Sequence, residues 1–345
     1  MRRPLSLFII LYFLLNIQAF ANNNIHTSIT RIINSPMPLE LEYAYARNKV
    51  WIYGLKKASI KIKNHAFGIE SKDSNTLLAI AAKLFSIEDI NFIYSGQNKA
   101  EIILSPKPDF KKELTLALRN PEQIQLLTLL INDIQNTLKE CDRLIVKAKS
   151  KKILDFQWEK LQETLDGLWI LALAFSPTDD GWLVSDNSLS SLEKANKLLP
   201  NSKLCLLLLA EARLQRHMPQ QCIDACTKAL MIDPSMNRAR YIRALAHLRL
   251  QQLALAEDDL TISLSERFNI SPQEDERAHR LRARGAVRML RGNFEGMCTD
   301  FSEACSLGDC EGLALARKKN HCQGENSTEL MTLPHTFMDT PKSIK

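Results

Sequence analysis

Cys222-Ile223-Asp224-Ala225-Cys226-Thr227-Lys228-Ala229-Leu230-Met231-Ile232-Asp233-Pro234 sets small and apolar residues at 222, 226 and 229, one face of a helix, and closes on a proline. The arrangement returns twice. Its opening position holds Cys222, Ala256 and Met297, and its middle Cys226, Leu260 and Phe301. Its closing small residue is Ala229, Ser263 and Ala304. A helix in front of each carries Ala210, Ala244 and Gly285. Every series steps by 34 residues and then by 41. The longer step is the same unit with a seven-residue insertion, placed at 269–275 around Pro272.

Small residues at fixed intervals let two helices approach closely, and larger apolar residues fill the space between neighbouring pairs. One pair cannot bury its apolar face alone, so about three must stack. The 34-residue period and the segment ending at Pro234 resemble the tetratricopeptide (TPR) family. Gly292-Asn293-Phe294-Glu295 is similar to that family's turn between paired helices. Leu192, Ala195 and Pro200 fall at matching intervals, so 187–200 reads as the second helix of a degenerate earlier repeat. The resemblance covers about 187–320. It is weaker in the middle, where Phe268 stands at the proline position and Ser263 replaces alanine.

The resemblance implies an α-solenoid with a concave surface built from first helices, and a protein or peptide partner. At the positions where TPR peptide clamps place asparagine, this chain has Glu211, Leu245 and Ala286, so the familiar carboxylate clamp is missing. By the family's geometry the groove is faced by Arg238, Tyr241, Arg249, His279 and Arg282, a basic set with one aromatic. It suits an acidic or extended partner. A solvated basic face explains the same residues equally well.

Upstream the pattern differs. Arg2 and Arg3, the apolar run from Leu5 to Leu15, and Ala19-Phe20-Ala21 follow the order of a secretory signal. Cleavage is expected after Ala21, giving a periplasmic or secreted protein; an uncleaved membrane anchor is the other reading. Beyond this run the sequence offers no membrane span. Residues 22–45 form a polar leading segment with at most one short helix. Residues 46–108 read strand, strand, helix, strand, strand: 50–54, 58–63 with alternating apolar and charged residues, 76–85, 90–94 and 101–104. From 109 the period turns helical, through Trp158 and Trp169, both expected in the core. The organisation is therefore a signal at 1–21, a small α/β unit at 22–108, a helical connector at 109–186, repeats with a capping helix at 187–322 and a loose tail at 323–345. The fold class is mainly α: a TPR-like solenoid of antiparallel helix pairs behind a small α/β unit.

Formal charge is +6, and +4 once Arg2 and Arg3 are removed. That weak excess does not argue for nucleic acid. Seven scattered histidines form no metal or zinc-finger spacing, and there is no nucleophile elbow or phosphate loop. Asp179-Asp180-Gly181 lacks the further oxygen ligands a calcium loop needs. No enzyme, metal or cofactor is expected. An activity or small-ligand site in the α/β unit, with the repeats as docking platform, is the alternative.

Export permits disulfides among the eight cysteines. The region from Cys298 to Cys322 resembles the C-terminal repeats of some exported bacterial TPR proteins. A tight turn at Gly308-Asp309 makes the helices around it antiparallel. Cys305 and Cys310 flank that turn, and Cys298 and Cys322 lie at the far ends. Seven residues of helix separate Cys298 from Cys305 by about 10 Å, beyond the ~7 Å Cα limit of a bridge. The expected pairs are Cys305–Cys310 and Cys298–Cys322, with Cys222 and Cys226 as buried thiols.

Overall fold

A computed structural model describes residues 24–30, 37–65, 73–93, 99–108, 110–119, 121–148, 155–175, 182–265 and 274–322. The expected signal, the tail, the centre of the 269–275 insertion and the Asp179-Asp180-Gly181 turn lie outside them.

Strand β1 (Ile25–Thr30) precedes a 27-residue helix, α1 (Leu39–His65). Helix α2 (Ser74–Leu84) runs directly into β2 (Phe85–Ile93), and β3 (Lys99–Pro106) follows. The three strands form an antiparallel sheet in the order β1-β3-β2, with Ile25 opposite Leu104 and Phe85 opposite Pro106. Asp73 caps α2, its carboxylate accepting from the Asn75 and Thr76 amides at 3.1 and 3.2 Å.

Helix α1 corrects the sequence reading. Residues 50–54 and 58–63 are helical, not two strands. The alternation over 58–63 is a short coincidence inside a longer 3.6 period. Ile60 and Ile62 would share a face in a strand, yet Ile60 is 61% exposed and Ile62 is 1% exposed. Leu41, Ala44, Asn48, Trp51, Leu55, Ala58 and Ile62 are buried at intervals of three and four, as one helix face requires. The leading segment in turn contributes β1, a strand its mixed composition did not signal.

Helices α3 (Phe110–Arg119), α4 (Pro121–Ala148) and α5 (Asp155–Ala174) follow. Trp158 and Trp169 are buried, as expected. Trp169 meets Trp51 of α1 edge-on at 6.0 Å. One hydrophobic core runs from the sheet through α1, α4 and α5 into the first repeats.

Past a short 3-10 turn lie α6 (Leu189–Leu198), α7 (Lys203–Gln215), α8 (Pro219–Ile232), α9 (Asn237–Arg249), α10 (Leu253–Leu264), α11 (Glu274–Leu290), α12 (Phe294–Ser306) and α13 (Glu311–Lys318). They form a TPR-like α-solenoid. Helices α7/α8, α9/α10 and α11/α12 pair, and each pair packs on the next. Every residue of the 34/41 series is buried, from Ala210 and Cys222 to Phe301 and Ala304. A methyl group on Gly285 would lie 2.6 Å from the Phe301 ring, so glycine is what permits that approach.

The turns repeat as faithfully as the helices. After each first helix one residue takes a left-handed conformation: His217 (φ 58°), Gln251 (φ 59°) and Gly292 (φ 76°). The next amide reaches back five residues: Met218 to the Arg213 carbonyl, Gln252 to His247 and Asn293 to Arg288, each at 2.9 Å. This is the Schellman closure of a helix. Helix α6 packs between α5 and α7, in the place foreseen for a degenerate repeat.

Candidate partner-binding face

First helices pack on one another, α7 on α9, α9 on α11 and α11 on α13, so their side is the inner side of the stack. The five residues expected there have different fates. Arg238 on α9 is buried, and its Nε donates to Glu211 Oε1 at 2.6 Å. Burial pushes the Glu211 carboxyl up, and Arg238 pulls it back. Glu211 also accepts the Leu183 amide at 2.8 Å. The glutamate at an expected clamp position therefore ties α7 to α9 and to the preceding loop.

Tyr241 lies beside Arg238, with the Arg280 guanidinium 5.9 Å from its ring. Arg249 is exposed, and its Nη1 donates to the Leu214 carbonyl. His279 is exposed on α11. Arg282 is partly exposed and pairs with Asp309 at 3.1 Å and with Glu311 of α13. Arg238 and Tyr241 thus belong to a polar floor, and Arg249, His279 and Arg282 to the outer surface.

Two members of that floor escaped the sequence reading. Arg280 Nη2 donates to both oxygens of Glu122 at 3.1 Å, and its Nη1 to the Ser263 carbonyl at 3.0 Å. Glu122 sits in the first turn of α4 and also approaches Arg238 at 3.7 Å. Burial, then the charge of Glu122, pushes the nearby Glu276 carboxyl up to about 8. No local pattern links residues 158 positions apart, so nothing in the sequence marked Glu122 as the closing piece.

A second missed feature does carry a sequence signal. Arg243 of α9 grips Asp259 of α10 with two bonds, 2.7 and 2.8 Å, and reaches Thr227 of the preceding pair at 3.2 Å. Forty-one residues on, Arg284 grips Asp300 at 3.1 and 2.7 Å and reaches Thr261 at 3.5 Å. Each bracket joins three helices. The recurrence of an Arg-to-Asp separation of 16 was the available clue.

Cys298 and Cys322 lie at disulfide distance with Cα atoms 5.2 Å apart, and Cys305 and Cys310 with Cα atoms 4.0 Å apart. Both pairs are compatible with export. Cys141, Cys205, Cys222 and Cys226 are buried free thiols. Burial pushes Cys141 and Cys205 up to about 12, which disfavours the reactive thiolate. Among the described residues no three His, Cys, Asp or Glu side chains converge as a metal site. An open cleft of about 480 Å³ lies between α1, α5 and α6, lined by Arg47, Asp166, Trp169, Ile170, Lys194, Lys197 and Leu198.

No family model matches the chain. Nor does any curated protein. Among solved structures the chain is similar to MamA, 18% identical with a TM-score of 0.34, over 39% of this chain and 78% of that one. The fold assignment rests on the helix pairing, burial and turns described above.

Proposed function

We propose that the chain is a non-catalytic protein-interaction scaffold of the cell envelope that holds a segment of a partner protein on its inner face. One observation supports this reading: the first helices line one face whose buried floor is satisfied internally, with Arg249 and His279 exposed and Arg282 partly exposed above it. With Glu122 and Glu211 neutralising the floor, the partner meets the outer residues, and an acidic or extended segment suits them. Export after cleavage at Ala21 and the two cysteine pairs belong to the same reading. Mass spectrometry of the mature protein and non-reducing peptide mapping check these two parts.

The test of the face is capture from envelope extracts with the full chain and with the double variant Arg249→Glu/Arg282→Gln, the glutamine adding no third carboxylate beside Asp309 and Glu311. Arg238 is unsuited, because its loss would strand Glu211 in the interior. The variant should keep its circular dichroism spectrum and lose the partner. Undiminished capture by a folded variant would remove this face. A second reading, small-ligand binding beside the α/β unit, has the Arg47–Trp169 cleft in its favour, because cations over an aromatic floor suit an anionic ligand with an apolar body.

A further inference from the structure

The exposed side of α1 carries an arrangement that neither the solenoid nor the core uses. Tyr53 is 47% exposed and Ile60 is 61% exposed, beyond the exposed Leu39 at the helix start. At 100° per residue these two sit nearly in line, about 10 Å apart along the axis. Lys56 and Lys63 flank them on one side, and Lys57 and Lys61 on the other. The opposite arc, Trp51, Leu55, Ala58 and Ile62, is buried. The outer arc is thus a short apolar ridge between two rows of lysine.

Lys56, Lys57 and Lys63 carry the charge of this ridge. The sequence holds no Asp or Glu between Glu42 and Glu70. Arg47 and Lys49, in the first half of α1, are matched by Asp166 and Asp142. Lys56, Lys57 and Lys63 have no carboxylate within 4 Å among the described residues; Lys57 donates to the His26 carbonyl, and Lys56 lies over the Tyr53 ring at 5.6 Å. The basic surplus is therefore concentrated where the apolar side chains protrude.

We propose that this ridge is a contact surface for an anionic phospholipid bilayer, with α1 lying along the headgroups. The lysines meet lipid phosphates, while Tyr53 and Ile60 enter the interfacial layer between them. Tyrosine is favoured at that depth, having an apolar ring and a polar tip. A flat anionic plane matches cations on both sides of a convex ridge, whereas an acidic protein would have to present two matched acidic rows around an apolar groove. Only the outer arc is free, so the contact is largely electrostatic, reversible and screened by salt.

The full chain should sediment with vesicles of phosphatidylglycerol and phosphatidylcholine in low salt, and less with phosphatidylcholine alone. Each lysine contributes roughly fivefold to partitioning, so Lys56→Glu/Lys57→Glu should lower binding to the anionic vesicles more than tenfold. Tyr53→Ser/Ile60→Ser should lower it to a lesser degree. All proteins compared share one N-terminus, so its own lipid affinity cancels. If the glutamate pair does not fold, Lys56→Gln/Lys63→Gln serves the same purpose. Equal binding by wild type and lysine variants overturns the proposal. So does a ridge that binds heparin as tightly as vesicles and is indifferent to the loss of Tyr53 and Ile60, which would mark a general polyanion site.

Discussion

Helix α1 and the repeat stack solve one packing problem in opposite ways. Helix α1 fills its interface with large side chains: Leu41, Trp51, Leu55 and Ile62 are nearly inaccessible, and Trp51 meets Trp169 edge-on. The stack uses Ala210, Ala244, Gly285 and Ala304 to bring backbones together, and these contacts leave little room for apolar bulk, which Leu207, Leu260 and Phe301 supply beside them. It compensates with arginines that reach across the close-packed helices: Arg238 to Glu211, Arg243 to Asp259 and Arg284 to Asp300. The first region should answer to volume and the second to charge.

The largest effect expected from that contrast is at Arg238. Arg238→Ala leaves Glu211 inside the protein without its cation and should cost about 3–5 kcal/mol in urea denaturation near neutral pH. The loss should shrink at acid pH, because burial already pushes the Glu211 carboxyl up and it can take a proton in place of its partner. A pH-independent loss below about 1 kcal/mol would mean that the ionic floor does not hold α7 to α9.

The matching test of volume is on α1. Ile62→Ala should cost about 2–5 kcal/mol, while Ile60→Ala, at the exposed face, should stay within about 0.5 kcal/mol. The two melting curves compared side by side are the measurement. Similar losses would place both side chains on one face and refute the helical account of this segment.

These two regions were unequally legible. The 34/41 intervals foretold the buried small residues of the stack, because each repeat meets the same environment and must write the same residue types. Helix α1 meets a sheet on one side and helices on another, so its sequence has no second copy to compare. The alternation Ile60-Lys61-Ile62-Lys63 then outweighed a helical period visible only across all of α1. The groove set was placed by repeat geometry. What hid the floor was Glu122, a partner brought in by tertiary folding from α4. Arg243 and Arg284 were readable in principle, since charge spacing repeats as apolar spacing does, but a search confined to small residues passes over them.

A smaller effect tests whether the repeats are equivalent down to the backbone. Gln251 occupies the left-handed position that Gly292 occupies one repeat later. A side chain costs about 1 kcal/mol or more in that conformation, and glycine's extra freedom when unfolded returns part of the gain. Gln251→Gly should therefore stabilise the protein by roughly 0.5–1 kcal/mol, and Gly292→Ala should destabilise it by a similar amount. Changes of the same sign in both would show that the two turns do not share one conformation.

The smallest effect separates a partly exposed charge from the fully buried charges of the stack. Asp233, at the end of α8, accepts from Lys203 at 2.6 Å and from the Ser235 amide at 2.9 Å. Partial burial alone would raise its carboxyl, but the bonds from Lys203 and Ser235 outweigh it and bring the value down from 3.8 to about 2. A carboxyl depressed by folding contributes stability that is present above its unfolded value and is lost as pH falls through its folded value. The contribution of Asp233 is thus largely intact above about pH 4 and mostly lost by pH 2. The ion pair is partly exposed, so screening should hold it below about 1 kcal/mol. Asp233→Asn should therefore be slightly less stable than wild type at pH 6 and match it near pH 2, by urea denaturation at both. A gap that persists unchanged at pH 2 would assign the effect to the turn's geometry instead of to the charge.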